Sequence, residues 1–147
     1  MNNKFKVITI TIAAVIFLSA ATCTGTGGKS LNSAEALKEY LDKQPANTPD
    51  KPIKVTMNAN DLMIEKIATV IKTADKYVSL NLSGNALTTI PDRAFCIPEK
   101  GCVTLTAITI PISVTSIGEY AFAGCTNLTS IAVPDKRKMT HFTQLQG

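Results

Sequence analysis

The segment SVTSIGEYAFAGCTNLTSIAVP, residues 113–134, places branched apolar and aromatic residues at regular intervals between small polar ones. If such a segment occurred once, it would be a strand and a short helix of a small core. If it recurs, it is a coil of a stacked repeat. A copy does precede it, ALTTIPDRAFCIPEKGCVTLTAITIP, at residues 86–111. The repetition predicts coils that each bury the apolar face of their neighbour.

The two copies align in two blocks. Their first halves match at a shift of 27 residues and their second halves at a shift of 23, so the period is 23 residues and the first copy has four extra residues within CIPEKG. The equivalent pairs are Leu87 and Val114, Ile90 and Ile117, Ala94 and Ala121, Phe95 and Phe122, Gly101 and Gly124, Cys102 and Cys125, Leu105 and Leu128, Ile108 and Ile131, Ile110 and Val133, and Pro111 and Pro134.

Each copy predicts the same local structure. LTAITI and LTSIAV alternate branched apolar with small residues, which is typical of a strand with one buried face. The proline that follows has no backbone donor and ends the pairing. GEYAFAGC predicts a short turn that packs Ala121 and Phe122 inward and ends at Gly124, which can adopt a positive φ.

The segment ITIPISVTSIGEYAFAGCTNLTSIAVP closely resembles the BspA-type leucine-rich repeat of bacterial surface proteins. The resemblance covers residues 80–134, and the preceding EALKEYLDKQPANTPDKPIKVTM resembles the leader unit of envelope lipoproteins with such repeats. It implies a right-handed solenoid of short strands that serves adhesion or partner binding. The chain departs from the family in the four-residue insertion, in Ile112 where Asn or Asp is usual, and in the tail after Pro134.

The N-terminus indicates export. Residues 1–22 combine basic Lys4 and Lys6 with a short apolar run, which is typical of a signal peptide rather than a retained membrane anchor. SAATC resembles a lipobox, which implies lipidation of Cys23 at the bacterial envelope or outer surface. Ordinary secretion with cleavage near Ala20 or Ala21 is the alternative. The small residues of 23–32 predict a flexible tether.

Residues 33–79 differ in composition and predict an α-β-α-β capping unit. Ser33 is the candidate N-cap of a helix that places Leu37, Tyr40 and Leu41 on one face. IKVTM predicts a strand, DLMIEKIATVIKTA a second helix opened by Asn60 or Asp61, and YVSLNLSG a strand leading into the repeats. The predicted fold is therefore α/β, with this unit capping a short leucine-rich repeat solenoid of about two 23-residue coils at 80–134 and an irregular tail at 135–147.

The cysteines of the repeats allow two interpretations. Disulfides are allowed in an exported protein. Cys96 and Cys102 bracket the insertion, so a disulfide between them would close a short loop. Cys102 and Cys125 occupy the same repeat position, where neighbouring coils would bring them close enough to bridge. Buried free thiols in a core ladder are the interpretation that the repeat resemblance favours.

Few residues suggest chemistry. The net charge of +4 falls to +2 without Lys4 and Lys6, and the basic run at 136–138 accounts for the rest, which argues against nucleic-acid binding. His141 is the only histidine, so no metal site, catalytic pair or cofactor is expected. TGTGGKS lacks the spacing of a phosphate loop. The sequons at Asn81 and Asn127 lie in strand-like segments, where backbone hydrogen bonding along the coil is their expected role.

Three functional hypotheses follow. The first is a non-enzymatic, envelope-anchored repeat protein that binds a protein or glycan of a host or bacterial surface. The second is a truncated remnant of a longer repeat protein, because two repeats are fewer than a solenoid normally needs. The third is a hydrolytic or metal enzyme, for which the sequence offers almost no residues. The sequence does not identify the ligand-binding residues.

The second coil raises the question of what covers its open side. Met139, Phe142 and Leu145 recur at intervals of three, which predicts that the tail folds back onto the coil. End-to-end contact between two molecules is the alternative, because an uncovered apolar patch is uncommon on a soluble monomer.

Overall fold

A computed structural model of the chain describes residues 28–96 and 101–133. The predicted signal peptide at 1–22, Cys23, residues 97–100 of the insertion, Pro134 and the predicted tail at 135–147 lie outside the described residues. In chain order the elements are β1 (Lys29–Leu31), α1 (Ala34–Asp42), β2 (Ile53–Asn58), a 3-10 turn (Asp61–Met63), α2 (Ile64–Thr73), β3 (Val78–Ser83), β4 (Thr89–Ile90), β5 (Leu105–Thr109), β6 (Ser116–Ile117) and β7 (Ser130–Ala132).

Two parallel sheets organise these elements. The larger one has five strands in the order β1-β2-β3-β5-β7, and the smaller one pairs β4 with β6. Each strand of the larger sheet lies beside the previous one, and the segment between them crosses the opposite side of the molecule. This mixed α/β arrangement with a parallel sheet is consistent with the fold class that the sequence predicts.

The first helix forms where the sequence places it. Ser33 is its N-cap, and the backbone N–H of Ala36 donates to Ser33 Oγ at 3.1 Å. Leu37 and Leu41 are fully buried and Tyr40 is partly buried against the same core. The predicted face of α1 is therefore confirmed.

The second helix begins differently from the prediction. The Asn60 side chain forms no cap hydrogen bond, and the 3-10 turn precedes α2. The carboxylate of Asp61, the other candidate cap, instead accepts hydrogen bonds from the backbone N–H groups of Thr88 and Thr89, at 2.7 and 3.1 Å, and from Thr88 Oγ1 at 2.8 Å. Asp61 thus links the beginning of α2 to the segment that enters β4.

The predicted capping unit and the repeats share one sheet and one core. β3 crosses the expected boundary at residues 79 and 80 and pairs with β2 on one side and with β5 on the other. A single cluster of buried residues runs from Leu31 to Cys125. The predicted tether also ends earlier than expected, because residues 29–31 form β1 and pair with Val55–Met57. Backbone hydrogen bonding to β2 holds these residues in the sheet.

The repeated turns confirm the predicted packing. Phe95 and Phe122 stack with ring centroids 5.2 Å apart and an interplanar angle of 14°. Ala121 and Phe122 are buried, and Gly124 has φ 71°. Arg93 and Tyr120 occupy equivalent positions in the two turns and have φ values of 54° and 55°, which sequence analysis did not anticipate for non-glycine residues.

Candidate binding surface

One face of the five-stranded sheet points away from the core. Because successive side chains on a strand alternate between faces, the inward row Val55, Leu80, Ile108 and Ile131 packs on the core while the neighbouring rows face outward. We call these neighbouring rows the outward face. Its members are Ser30, Thr56, Asn81, Thr109 and Ala132 in one row and Lys54, Ser79, Ala107 and Ser130 in the other.

The outward face is chemically uniform. Its side chains are small, most carry a hydroxyl or an amide, and Lys54 is its one charged member. With strands about 4.8 Å apart, the row of five residues extends over about 19 Å. The face therefore offers a regular array of neutral donors and acceptors.

Hydrogen bonds between successive segments hold this array in place. The hydroxyl of Thr106 donates to the Val78 carbonyl at 3.1 Å, and the hydroxyl of Thr129 donates to the Thr106 carbonyl at 3.2 Å. The hydroxyl of Thr104 donates to the Ile71 carbonyl at 3.0 Å. Within the described ranges, no buried side-chain nitrogen or oxygen lacks a hydrogen-bond partner. The buried polar side chains behind the outward face are thus hydrogen-bonded, as is usual for buried polar groups in native proteins.

The two sequon asparagines behave differently. The Asn127 amide donates to the Val103 carbonyl at 2.8 Å, which confirms the expected hydrogen bond along the coil. The Asn81 amide instead lies on the outward face, 3.5 Å from Thr56 Oγ1 of the neighbouring strand. Asn81 is exposed at the middle of its row, so its amide faces solvent with most of its hydrogen-bonding capacity available.

The three repeat cysteines are free thiols in the structure. Burial raises the pKa of the Cys102 thiol, and burial raises the pKa of the Cys125 thiol to about 11. Cys125 Sγ lies 3.7 Å from the Phe95 carbonyl oxygen, which it can meet as a donor. Both thiols are therefore protonated at neutral pH and poor nucleophiles. The disulfide between Cys96 and Cys102 stays a prediction.

Catalytic or metal-binding clusters are not found in the described part of the chain. No group of three or more His, Cys, Asp or Glu residues there could hold a metal ion. His141 lies outside the described residues. No described helix is long and apolar enough to cross a bilayer.

A groove between the two helices lies on the opposite side of the molecule. It has a volume of about 390 Å³ and is lined by Ala34, Glu35, Lys38, Glu65, Lys66, Thr69 and Val70. Its charges are mixed, and Lys38 already pairs with Asp42 at 2.6 Å. The groove brings together no nucleophile with a base, so the outward face is the better candidate surface.

Comparison with protein families agrees with this architecture. A family model described as "BspA type Leucine rich repeat region (6 copies)" matches residues 88–144. These residues carry a BspA-like leucine-rich repeat. The match begins just before β4 and continues past Val133, and it leaves β1 to β3 and both helices outside the matched range. No curated protein and no solved structure matches the chain.

The BspA-like repeat accounts for β4 to β7, and the parallel sheet extends beyond it. The recurrence of ten positions in the sequence predicts the repeats and their turns. It did not identify the outward face. The signal was partly present, since alternate residues of IKVTMN and VSLNLS are small, polar or basic, and so are Ala107 and Thr109 of LTAIT. The register that aligns these residues across strands, including the shift between Val78 and Ser79, comes only from the structure.

Proposed function

We propose that this chain is a non-enzymatic, protein-binding repeat module that is anchored to the bacterial envelope by a lipid at Cys23, and that its outward face binds the partner. The observation that carries the binding role is the continuous face of five parallel strands, neutral except for Lys54, with every buried polar side chain behind it hydrogen-bonded within the described residues. Repeat stacks commonly bind partners on such extended surfaces.

The coil organisation belongs to the same proposal. Each step from one strand of the larger sheet to the next forms one coil, with a helix on the far side in the first two coils and the short strands β4 and β6 in the next two. The solenoid thus begins at β1, and the α-β-α-β unit supplies its first coils. One continuous core runs through all these coils. This continuity favours the hypothesis of a partner-binding module over the hypothesis of a remnant without its own binding function.

The outward face can be tested with two asparagines. Asn81 lies at its middle, whereas Asn85 is also exposed but lies in the bend that follows β3. We expect Asn81→Arg to abolish capture of the mature domain's partner from extracellular-matrix and bacterial-envelope extracts, and Asn85→Arg to leave it intact. Equal capture by both variants would show that the partner binds elsewhere.

The anchor has a separate test. Radiolabelled fatty acid is expected to enter the wild-type protein and not Cys23→Ser, because only the thiol of Cys23 would carry the lipid. Detergent partitioning should change in parallel. If both proteins partition equally and neither is labelled, the chain has no lipid at this residue.

A further inference from the structure

The β1 end of the sheet is joined to the proposed lipid by very little chain. Cys23 is the proposed acylation site, and the described part of the chain begins at Gly28. A Cβ at Gly28 would clash with the Lys54 carbonyl oxygen, so the backbone there is packed directly on β2. The adjacent Lys29–Leu31 pairs with Val55–Met57. Only residues 24–27 lie between Cys23 and Gly28 in the sequence.

This length limits how far the domain can lie from the bilayer. Even fully extended, the five steps from Cys23 to Gly28 span at most about 18 Å. The strand order β1-β2-β3-β5-β7 places β7 about 19 Å from β1. The tether is thus no longer than the breadth of the sheet. The β1 end must therefore stay close to the membrane surface, whereas the β7 end can lie farther from it.

The charge on the strands changes along the same axis. Among the described strands, charged residues occur only on β1 and β2, as Lys29 and Lys54, and both are exposed. Strands β3, β5 and β7 consist of neutral residues. In the coil that joins β1 to β2, Lys38 pairs with Asp42 and the C-cap residue Lys43 pairs with Glu39, both at 2.6 Å, and Glu35 in the first turn of α1 adds one further carboxylate. Lys29 is in register with Val55 of the inward row, whereas Lys54 lies on the outward face, so the two lysines place positive charge on either side of the sheet near its tethered end.

From these observations we propose that the β1 edge of the sheet lies against the headgroup layer of the membrane, with Lys29 and Lys54 facing anionic lipids and the β7 edge pointing away. The proposal rests on the lipid at Cys23. It deepens the proposed function, because the outward face then stands upright beside the membrane and meets its partner within roughly 40 Å of the lipid surface, the tether and the sheet together.

Two serines offer a matched pair of probes. Ser30 on β1 and Ser130 on β7 are both exposed and lie at opposite edges of the same sheet. A fluorescent amino acid at either position of the acylated full chain is reconstituted in vesicles of phosphatidylcholine and phosphatidylglycerol with a nitroxide quencher on the headgroups. We expect roughly twofold or more stronger quenching at residue 30, because the two edges are about 19 Å apart.

Two further variants isolate the cause. A flexible Gly/Ser insert of about 24 residues before Gly27 has a root-mean-square length of about 27 Å and should remove most of the difference. The double variant Lys29→Gln, Lys54→Gln should narrow the difference on the anionic vesicles and leave it unchanged on phosphatidylcholine alone. If the double variant has no effect on either vesicle, the two lysines do not face the headgroups.

Failure of this proposal differs from failure of the anchor. Equal quenching at residues 30 and 130, in protein that floats with the vesicles and contains fatty acid, would overturn the orientation and leave the anchor standing. Protein that carries no fatty acid and does not float would overturn the anchor, and the orientation with it.

Discussion

At the scale of single residues, the Phe95–Phe122 stack is the clearest link between repetition in the sequence and packing in the core. The two residues occupy equivalent repeat positions, and both are almost completely buried. Their stacking follows from coils that superpose, because only then do equivalent side chains meet. The stack is thus a sensitive probe of the repeat alignment.

Truncating this pair should be costly. We expect Phe122→Ala to lower the free energy of unfolding by roughly 3–5 kcal/mol, since it leaves a cavity against Phe95. The neighbouring Tyr120 is half exposed and lies 6.0 Å from the Arg93 guanidinium, so Tyr120→Ala should cost less than about 1 kcal/mol. Chemical denaturation measures both. Similar losses for the two variants would contradict the stacked arrangement.

The buried thiol of Cys125 predicts a loss of stability in alkali. The folded chain holds this proton up to a pKa of about 11, whereas the unfolded thiol releases it near its ordinary value of 9.0. The unfolded state therefore binds fewer protons between these values, and stability falls as the pH rises from about 9 to 11. We expect the unfolding midpoint of Cys125→Ala to change less with pH over this range than the midpoints of the wild type and of Cys96→Ala. Parallel curves for all three proteins would be inconsistent with a buried, protonated Cys125.

At the scale of elements, Asp61 joins the 3-10 turn before α2 to the segment that enters β4. The backbone N–H groups of Thr89 and Thr88 hold the pKa of its carboxyl below the ordinary value of 3.8. Asp92 has a similar role in the next repeat, where its carboxylate accepts a hydrogen bond from the Glu119 N–H at 2.8 Å. Carboxylates at the outer turns thus supplement the backbone ladders between coils.

Removing the Asp61 carboxylate should loosen this junction. We expect Asp61→Ala to destabilise the fold by roughly 1–2 kcal/mol and to speed hydrogen exchange at the Thr88 and Thr89 amides. Asp50→Ala, at an exposed carboxylate in the loop before β2, is the matched control and should change neither. Because the folded pKa is depressed, the stabilisation is present above the ordinary value and disappears as the pH falls below about 3.8 through the folded value. A constant difference between wild type and Asp61→Ala down to pH 2 would exclude an ionised Asp61 as the cause.

Several elements follow from sequence alone, and the reasons are local. Ser33 predicts the beginning of α1, alternation predicts β2, β3 and β5, and the recurrence of Ala and Phe predicts the two turns. The role of Asp61 was missed because its partners lie 27 and 28 residues away in sequence. A side chain that can cap a helix can equally bond a neighbouring coil, and only the tertiary arrangement decides between them.

At the scale of the whole molecule, the structure joins two regions that the sequence separated. The helical N-terminal region and the BspA-like repeat differ in composition, so the sequence suggested a cap followed by a solenoid. The parallel sheet continues through both, because β3 supplies a strand edge to each side. The proposed binding surface does not follow from the sequence for the same reason: Ser30, Asn81 and Ala132 form one row only once five strands are in register.

The central claim is that this row of small polar side chains binds a partner protein. Its most direct test is a nuclear magnetic resonance titration of the isotope-labelled mature domain with the purified captured partner. We predict that amide shifts concentrate on the outward face, at Thr56, Asn81 and Thr109, with little change in the α1–α2 groove. Shifts confined to groove residues such as Lys38 and Lys66, with the outward face unchanged, would contradict the claim.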